Sequence, residues 1–284
     1  MIQPIGMKNK TLAFILAGCL LPFQTFAWNA LGHQLIAQIA YDYLTPHARA
    51  TFNHYNHALD KEYRADSFIN AAVWLDSLRH HDVNWFNSLH YIDWYFTEDG
   101  SLLPSPQPVN AVWAIKEARR ILNSKKSNEF EKGFSLRILL HVVGDLHQPL
   151  HAASRVSKSM PAGDRGGNKV ALRKNPIADN LHLYWDKGAG LLIGKRFSQS
   201  QIMTMAANIE KRWPCKPGLD NKPMHWAQES HDLAVKYVYT LKNNAIPTAQ
   251  YQRNAQRITE QRLALAGCRL AAMLNQIDKS LLKK

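Results

Sequence analysis

Residues 134 to 151 read Phe134-Ser-Leu-Arg-Ile-Leu-Leu-His-Val-Val-Gly-Asp-Leu-His-Gln-Pro-Leu-His151. Apolar residues at helical spacing predict a helix over Phe130–Leu146. His141 and Asp145 fall four residues apart on it, so they share a face and can approach one ion. Pro149 takes the chain out of the helix, which lets His151 turn back toward the same pocket. His182-Leu-Tyr-Trp-Asp186 repeats the spacing. One such His–Asp pair is more often a hydrogen bond on a helix surface. Two pairs plus His151 favour a metal that accepts imidazole nitrogen and carboxylate oxygen together, as zinc does.

Working outward, helical periodicity is common and strand-like alternation scarce. Leu31, Leu35, Ile36, Ile39, Ala40 and Tyr43 make one helical face. Thr45-Pro46 is an N-cap followed by proline at the first helical position. Further helices are expected near Ser67–Leu78, Val109–Leu122, Gln199–Arg212, His225–Leu241 and Thr248–Leu281. Ser154–Asn175 is rich in Gly, Ser, Lys and Arg and is expected to be an exposed loop. No repeat or low-complexity linker interrupts the pattern, which predicts a mainly α, single-domain helical fold.

The N-terminus reads as a secretory signal. Lys8 and Lys10 precede the apolar run Thr11–Leu21, and Thr25-Phe-Ala27 ends in the small residues a signal peptidase accepts. Cleavage there divides the chain into a signal at 1–27 and a functional domain at 28–284. Leu16-Ala-Gly-Cys19 offers a competing lipoprotein site, which would leave Trp28 in mid-chain. The formal charge is +13, and the first 27 residues carry two lysines and no acid, which leaves +11. That excess suits a polyanion such as nucleic acid or an anionic surface, or simple solubility. Beyond the signal the cysteines are Cys215 and Cys268, expected to pair in an oxidising compartment.

Six segments carry a resemblance: Trp28-Asn-Ala-Leu-Gly-His33, Val73-Trp-Leu-Asp-Ser-Leu-Arg79, Leu89-His-Tyr-Ile-Asp93, His141 to His151, Gly166-Gly-Asn168 and Leu181-His-Leu-Tyr-Trp-Asp186. In this order they resemble the S1/P1 nuclease family, secreted nucleases that prefer single strands and hold three zinc ions. The resemblance implies that Asp76, His90, His141 and Asp145 hold one zinc of a close pair. Trp28, through its free α-amine and carbonyl, would hold the other with His33, and Asp145 would bridge the two. His151, His182 and Asp186 would hold the third. Tyr91 would stack on a base, while Asp93 and Asn168 would hydrogen-bond a base edge. Gly166-Gly167 would let backbone come close to the ligand.

Such a cluster matches the chemistry. Paired zinc ions roughly 3.5–4 Å apart acidify water and steady the attacking and leaving oxygens of an in-line displacement. Asp76 would orient the attacking water, and Arg79, one helical turn later, would grip the phosphate. An ordinary Asp76–Arg79 helix pair is the alternative for that arginine. His147 is expected to be structural, hydrogen-bonding a ligand carboxylate, and His54 with His57 to form a surface helical pair. His80 and His81 are expected to face solvent.

Trp94-Tyr-Phe stands where the family has Thr-Pro, and the stretch before Gly166 is long and basic, with Arg155, Lys158 and Arg165. The expected activity is a secreted or periplasmic endonuclease. It would cleave RNA and single-stranded DNA to 5′-phosphorylated products, with 3′-nucleotidase activity as a further implication, acting as a monomer without stable membrane insertion. Two alternatives stay open. Zinc-dependent phospholipase C shares the metal scheme but wants an apolar rim. A non-catalytic zinc or nucleic-acid binder would not need every ligand of an open, water-bearing cluster.

Overall fold

The computed structural model describes residues 28–64, 66–78, 85–194 and 196–283. Helices α1 (Ala30–Asp42), α2 (Pro46–His57), α5 (Ala111–Asn123), α6 (Glu129–Asp145), α8 (Gln199–Arg212), α9 (Pro223–Leu233) and α10 (Ala249–Leu282) build the frame. Short helices α3 (Phe68–Ala71), α4 (Trp74–Ser77) and α7 (Leu181–Asp186) bring side chains to its edge. Strands β1 (Tyr95–Thr97) and β2 (Ser154–Val156) pair in parallel, with Tyr95 opposite Ser154, Phe96 opposite Arg155 and Thr97 opposite Val156. The fold is mainly α.

Local sequence explains where these helices begin. The side chains of Asn29, Thr45, Asn110 and Thr248 each accept a backbone N–H in the first turn of the helix that follows. Asn128 and Glu131 close a reciprocal capping box on α6. Helix α10, at 34 residues, runs roughly 50 Å and packs along α1. Gly267 permits that contact, since a Cβ there would lie 2.6 Å from Ile39. Leu35, Ile36, Ile39, Leu140, Val143, Leu270 and Leu274 bury in the main core; a smaller core gathers Leu150, Trp185, Tyr239 and Ile258. The cysteines lie as expected, with Cys215 and Cys268 joined by a disulfide that ties the segment after α8 to α10.

Four expectations need correction. Tyr43 does not share the buried face of α1; it caps the helix and is 40% exposed. The helix expected over Ser67–Leu78 breaks into α3 and α4, turning the Ala72 carbonyl toward α6, where it accepts from His141. The helix over His225–Leu241 ends at Leu233 and continues as a π turn over Ala234–Val238. Ser154–Asn175 is not simply an exposed loop: it contains β2, and Asp164, Gly166, Gly167 and Val170 are buried. Composition misleads there because glycines and a buried carboxylate, rather than apolar side chains, hold the segment in place.

Candidate metal centre

Helix α6 carries His141 and Asp145 on the face that meets α1 and α4. Gly144 lets α1 approach, for a Cβ at that position would lie 3.0 Å from Ile36 and 3.1 Å from the His33 ring. His33 then stacks on His141 with ring centroids 3.8 Å apart. Asp76 arrives from α4, and His90 from the end of the 3-10 turn Asn87–His90. All five residues are buried.

Asp145 sits at the middle. Its Oδ1 lies 3.3 Å from His33 Nε2, while Oδ2 lies 2.9 Å from His90 Nδ1 and 3.3 Å from His141 Nε2. Asp76 Oδ1 lies 3.6 Å from His141 Nε2 and 3.8 Å from His90 Nδ1. Two groups of donor atoms result, His33–His141–Asp145 and Asp76–His90–His141, each able to enclose one ion. A third group forms where Pro149–Ala152 turns out of α6. His151 meets His182 with ring centroids 5.0 Å apart, and His182 Nε2 lies 3.5 Å from Asp186 Oδ2.

The rings are aimed by the backbone. His141 Nδ1 contacts the Ala72 carbonyl, His151 Nδ1 the His90 carbonyl and His182 Nδ1 the Gly166 carbonyl, each at 2.7 Å. That contact fixes the tautomer with the proton on Nδ1 and presents Nε2 as a lone-pair donor, the arrangement metal-binding histidines use. Gln148 donates to Asp186 Oδ1 at 2.7 Å and so orients one carboxylate. Buried imidazole nitrogen and carboxylate oxygen, gathered with donor atoms within 4.8 Å of one another, fit zinc.

Trp28 is fully buried, and its indole donates to the Gly144 carbonyl at 3.1 Å, one residue before Asp145. The next residue, Asn29, donates its backbone N–H to the Asp186 carbonyl at 3.2 Å. The start of the described chain therefore lies between two of the donor groups. Residues 1–27, Arg79, His80 and His81 lie outside the described residues.

The residues expected to read a base have different surroundings from one another. Tyr91 is partly buried, and its carbonyl accepts from Ala111 N at 3.0 Å. Asp93, also partly buried, has its carboxyl pushed up to about 6, first by burial and then by the negative charge of Asp164, against a hydrogen bond from Tyr95 and the charge of Arg165. The Asn168 amide donates to the Arg165 carbonyl at 2.7 Å, within its own turn. Gly166 is close-packed against protein: a Cβ there would lie 2.5 Å from the Leu150 carbonyl and 3.2 Å from His182 Nδ1. Its positive φ of 59° suits glycine.

His147 is structural, as expected, but its partners differ from those expected. Its Nδ1 contacts the Val143 carbonyl at 2.7 Å and its Nε2 receives Arg269 at 2.9 Å, so it holds no ligand carboxylate. Burial, with Arg262 and Arg269 beside it, holds its pKa well below the usual histidine range. His54 and His57 do not pair with each other; they contact Glu129 and Asp60. Sequence reading also passed over Gln148, Asp164 and Glu229, none of which stands at a diagnostic spacing.

The helices thus converge three His/Asp groups, each able to hold a metal ion, in one buried region. The S1/P1 Nuclease model matches residues 28–279, and the chain belongs to that family. Among curated relatives, Endonuclease 4 of Arabidopsis thaliana is 28% identical over 282 residues, covering 89% of this chain and 90% of the relative. Nuclease P1 of Penicillium citrinum is 27% identical, covering 90% and 100%. Nuclease S1 of Aspergillus oryzae is 25% identical, covering 89% and 92%. Family membership makes the chain a nuclease, a hydrolase of phosphodiester bonds. No helix among the described residues is long and apolar enough to cross a membrane.

Proposed function

We propose that the chain is a zinc-dependent endonuclease that cleaves RNA and single-stranded DNA to 5′-phosphorylated products, with 3′-nucleotidase activity on the same site. The observation that carries this reading is Asp145, whose two oxygens face different donor groups while His151, His182 and Asp186 form a third nearby. His33, Asp145 and the α-amine of Trp28 would hold one ion; Asp76, His90, His141 and Asp145 a second; His151, His182 and Asp186 a third. Zinc bound there would supply Lewis acidity to a water and to the phosphate oxygens.

The chain's own residues do the rest. Asp76 accepts a hydrogen bond from the attacking water and orients it toward phosphorus. Arg79 grips the phosphate from its position three residues later. Tyr91 stacks on the base, a contact worth roughly 1–3 kcal/mol, and Asp93 with Asn168 reads its edge. We further propose that residues 1–27 are a cleaved signal, that 28–284 form the working domain, and that the protein is a secreted or periplasmic monomer. Its disulfide supports an oxidising compartment.

Phospholipase activity is the second reading. Lys158 and Arg165 are exposed on the loop before Gly166, while Arg155 folds back within 3.5 Å of Glu98 and stacks over Tyr239 at 5.0 Å. A charged loop favours a polyanion over a lipid surface. Purified protein should cleave single-stranded DNA and RNA faster than duplex DNA, leave phosphatidylcholine intact, contain close to three zinc ions per chain and lose activity in chelator. Hydrolysis of phosphatidylcholine in preference to nucleic acid would reverse the assignment.

A further inference from the structure

The turn that carries His151 is held by two elements. The segment after the 3-10 turn Asn87–His90 is one: Ile92 donates its N–H to the His151 carbonyl at 2.8 Å, while the His90 carbonyl meets His151 Nδ1 at 2.7 Å. Helix α9 is the other. Ser230 donates to the Leu146 carbonyl at 2.6 Å, ahead of the turn, and His231 Nδ1 lies 3.1 Å from the carbonyl of Ala152, its last residue. A carbonyl only accepts, so the His231 contact requires the ring proton on Nδ1.

Two of the three ligands in the third donor group depend on this turn. His151 belongs to it. Gln148, at its N-cap, accepts from Leu150 N at 2.6 Å and donates to Asp186 Oδ1 at 2.7 Å, so the turn also orients that carboxylate. Only His182 is aimed from elsewhere, by the Gly166 carbonyl at 2.7 Å. Metal–ligand distances tolerate shifts of only about 0.2 Å, so a loosened turn costs affinity.

His231 is itself fixed by aromatic rings. Trp94 lies 5.4 Å from it between ring centroids, tilted by 35°, and Phe96 meets it edge-on at 5.9 Å. Trp94 packs on the main core, whereas Phe96 packs on the smaller one and meets Tyr239 edge-on at 4.9 Å. The ring of His231 is therefore flanked by side chains anchored in both cores. Trp94-Tyr-Phe96 is the stretch in which the chain departs from the family pattern, and the structure places two of its three rings against this histidine.

We infer that His231 is a positioning residue for the third metal ion: its bond to Ala152 holds the turn on which His151 and Asp186 depend, and Trp94 with Phe96 keeps its ring in place. This rests on the third zinc proposed above. His33, Asp76, His141 and Asp145 stand on α1, α4 and α6, outside the turn, so the effect falls on one ion of the three.

The test counts bound zinc per chain on the mature protein, equilibrated in zinc buffers of falling free concentration, for the parent, His231→Leu, His231→Asn and His182→Ala. His182→Ala marks the loss of the third ion. His231→Leu, which has no donor, should release that ion at roughly ten- to a hundredfold higher free zinc than the parent, with the other two retained. His231→Asn, whose amide can donate in place of Nδ1, should recover most of that retention. Parent-like retention in His231→Leu overturns the inference. So do equal losses in the Leu and Asn variants, because packing alone would then account for the residue. Should His231→Leu fail to fold, Trp94→Leu serves: removing the ring beside His231 should loosen the same ion by roughly two- to tenfold, and parent-like retention refutes the idea. If His182→Ala keeps every ion that the parent binds, the third-zinc reading falls, and this inference with it.

Discussion

Glu229→Ala should destabilise the fold through a network anchored directly behind the candidate centre. Arg262 and Arg269, each 4% exposed, both bind Glu229: Arg269 through two contacts at 2.7 Å and Arg262 through one at 3.0 Å. The same guanidinium groups reach the turn that ends α6, Arg262 at the His147 carbonyl at 3.1 Å and Arg269 at His147 Nε2 at 2.9 Å. Ser230 completes the clamp, accepting from Arg262 at 2.8 Å and donating to the Leu146 carbonyl at 2.6 Å. Burial alone would push the Glu229 carboxyl up, but its bonds to both arginines hold it below the usual range. Removing one partner of a buried ion pair costs about 3–5 kcal/mol, because the other charge stays behind. Here the Glu229 side chain is 40% exposed, so water screens part of the loss and about 2–3 kcal/mol is expected. For a chain of this size that lowers Tm by about 4–12 °C. Denaturant unfolding of chelated and zinc-loaded protein reads it directly, the chelated form isolating the network from metal binding. A loss below about 0.5 kcal/mol in the chelated form would refute the reasoning, since it would mean the two buried arginines need no counter-charge from Glu229.

Three further outcomes follow from the site. Asp145→Ala should lose more than one zinc ion by metal analysis and depress activity by roughly a hundredfold or more, whereas retention of all three ions would end the bridging assignment. One extra residue ahead of Trp28, in a protein with a defined start, should leave the His151–His182–Asp186 ion in place while abolishing most nuclease activity; full activity would refute the amine ligand. Opening the Cys215–Cys268 bond frees a loop with a sequence separation of 53 and should cost about 4 kcal/mol by the chain-entropy estimate, so Cys215→Ser with Cys268→Ser should show a clearly lower denaturation midpoint, and an unchanged midpoint would deny the bond its stabilising role.

By itself the sequence determined the local pieces of this protein. Caps such as Thr45 and the spacing of apolar residues in α1, α6 and α10 mark helices, because capping and periodicity act within a few residues. His141 with Asp145 and His182 with Asp186 were legible for the same reason: a four-residue spacing puts two ligands on one helical face. His33, Asp76 and His90 were legible only through family resemblance, since nothing local says that α1, α4 and the 3-10 turn before Tyr91 meet on α6. Tertiary structure decided that meeting, and it decided the polar contacts with no periodic signature. Ala72 became the partner of His141 only once a helix broke, and His147 turned from the ligands to Arg269 because α10 lies behind it. Asp164 belongs to the same kind: a charge in a glycine-rich stretch looks solvated until Tyr239, some 75 residues on, donates to it from across the fold. Burial of a polar group depends on partners distant in the chain, and only the packing of the folded chain brings those partners within hydrogen-bonding range.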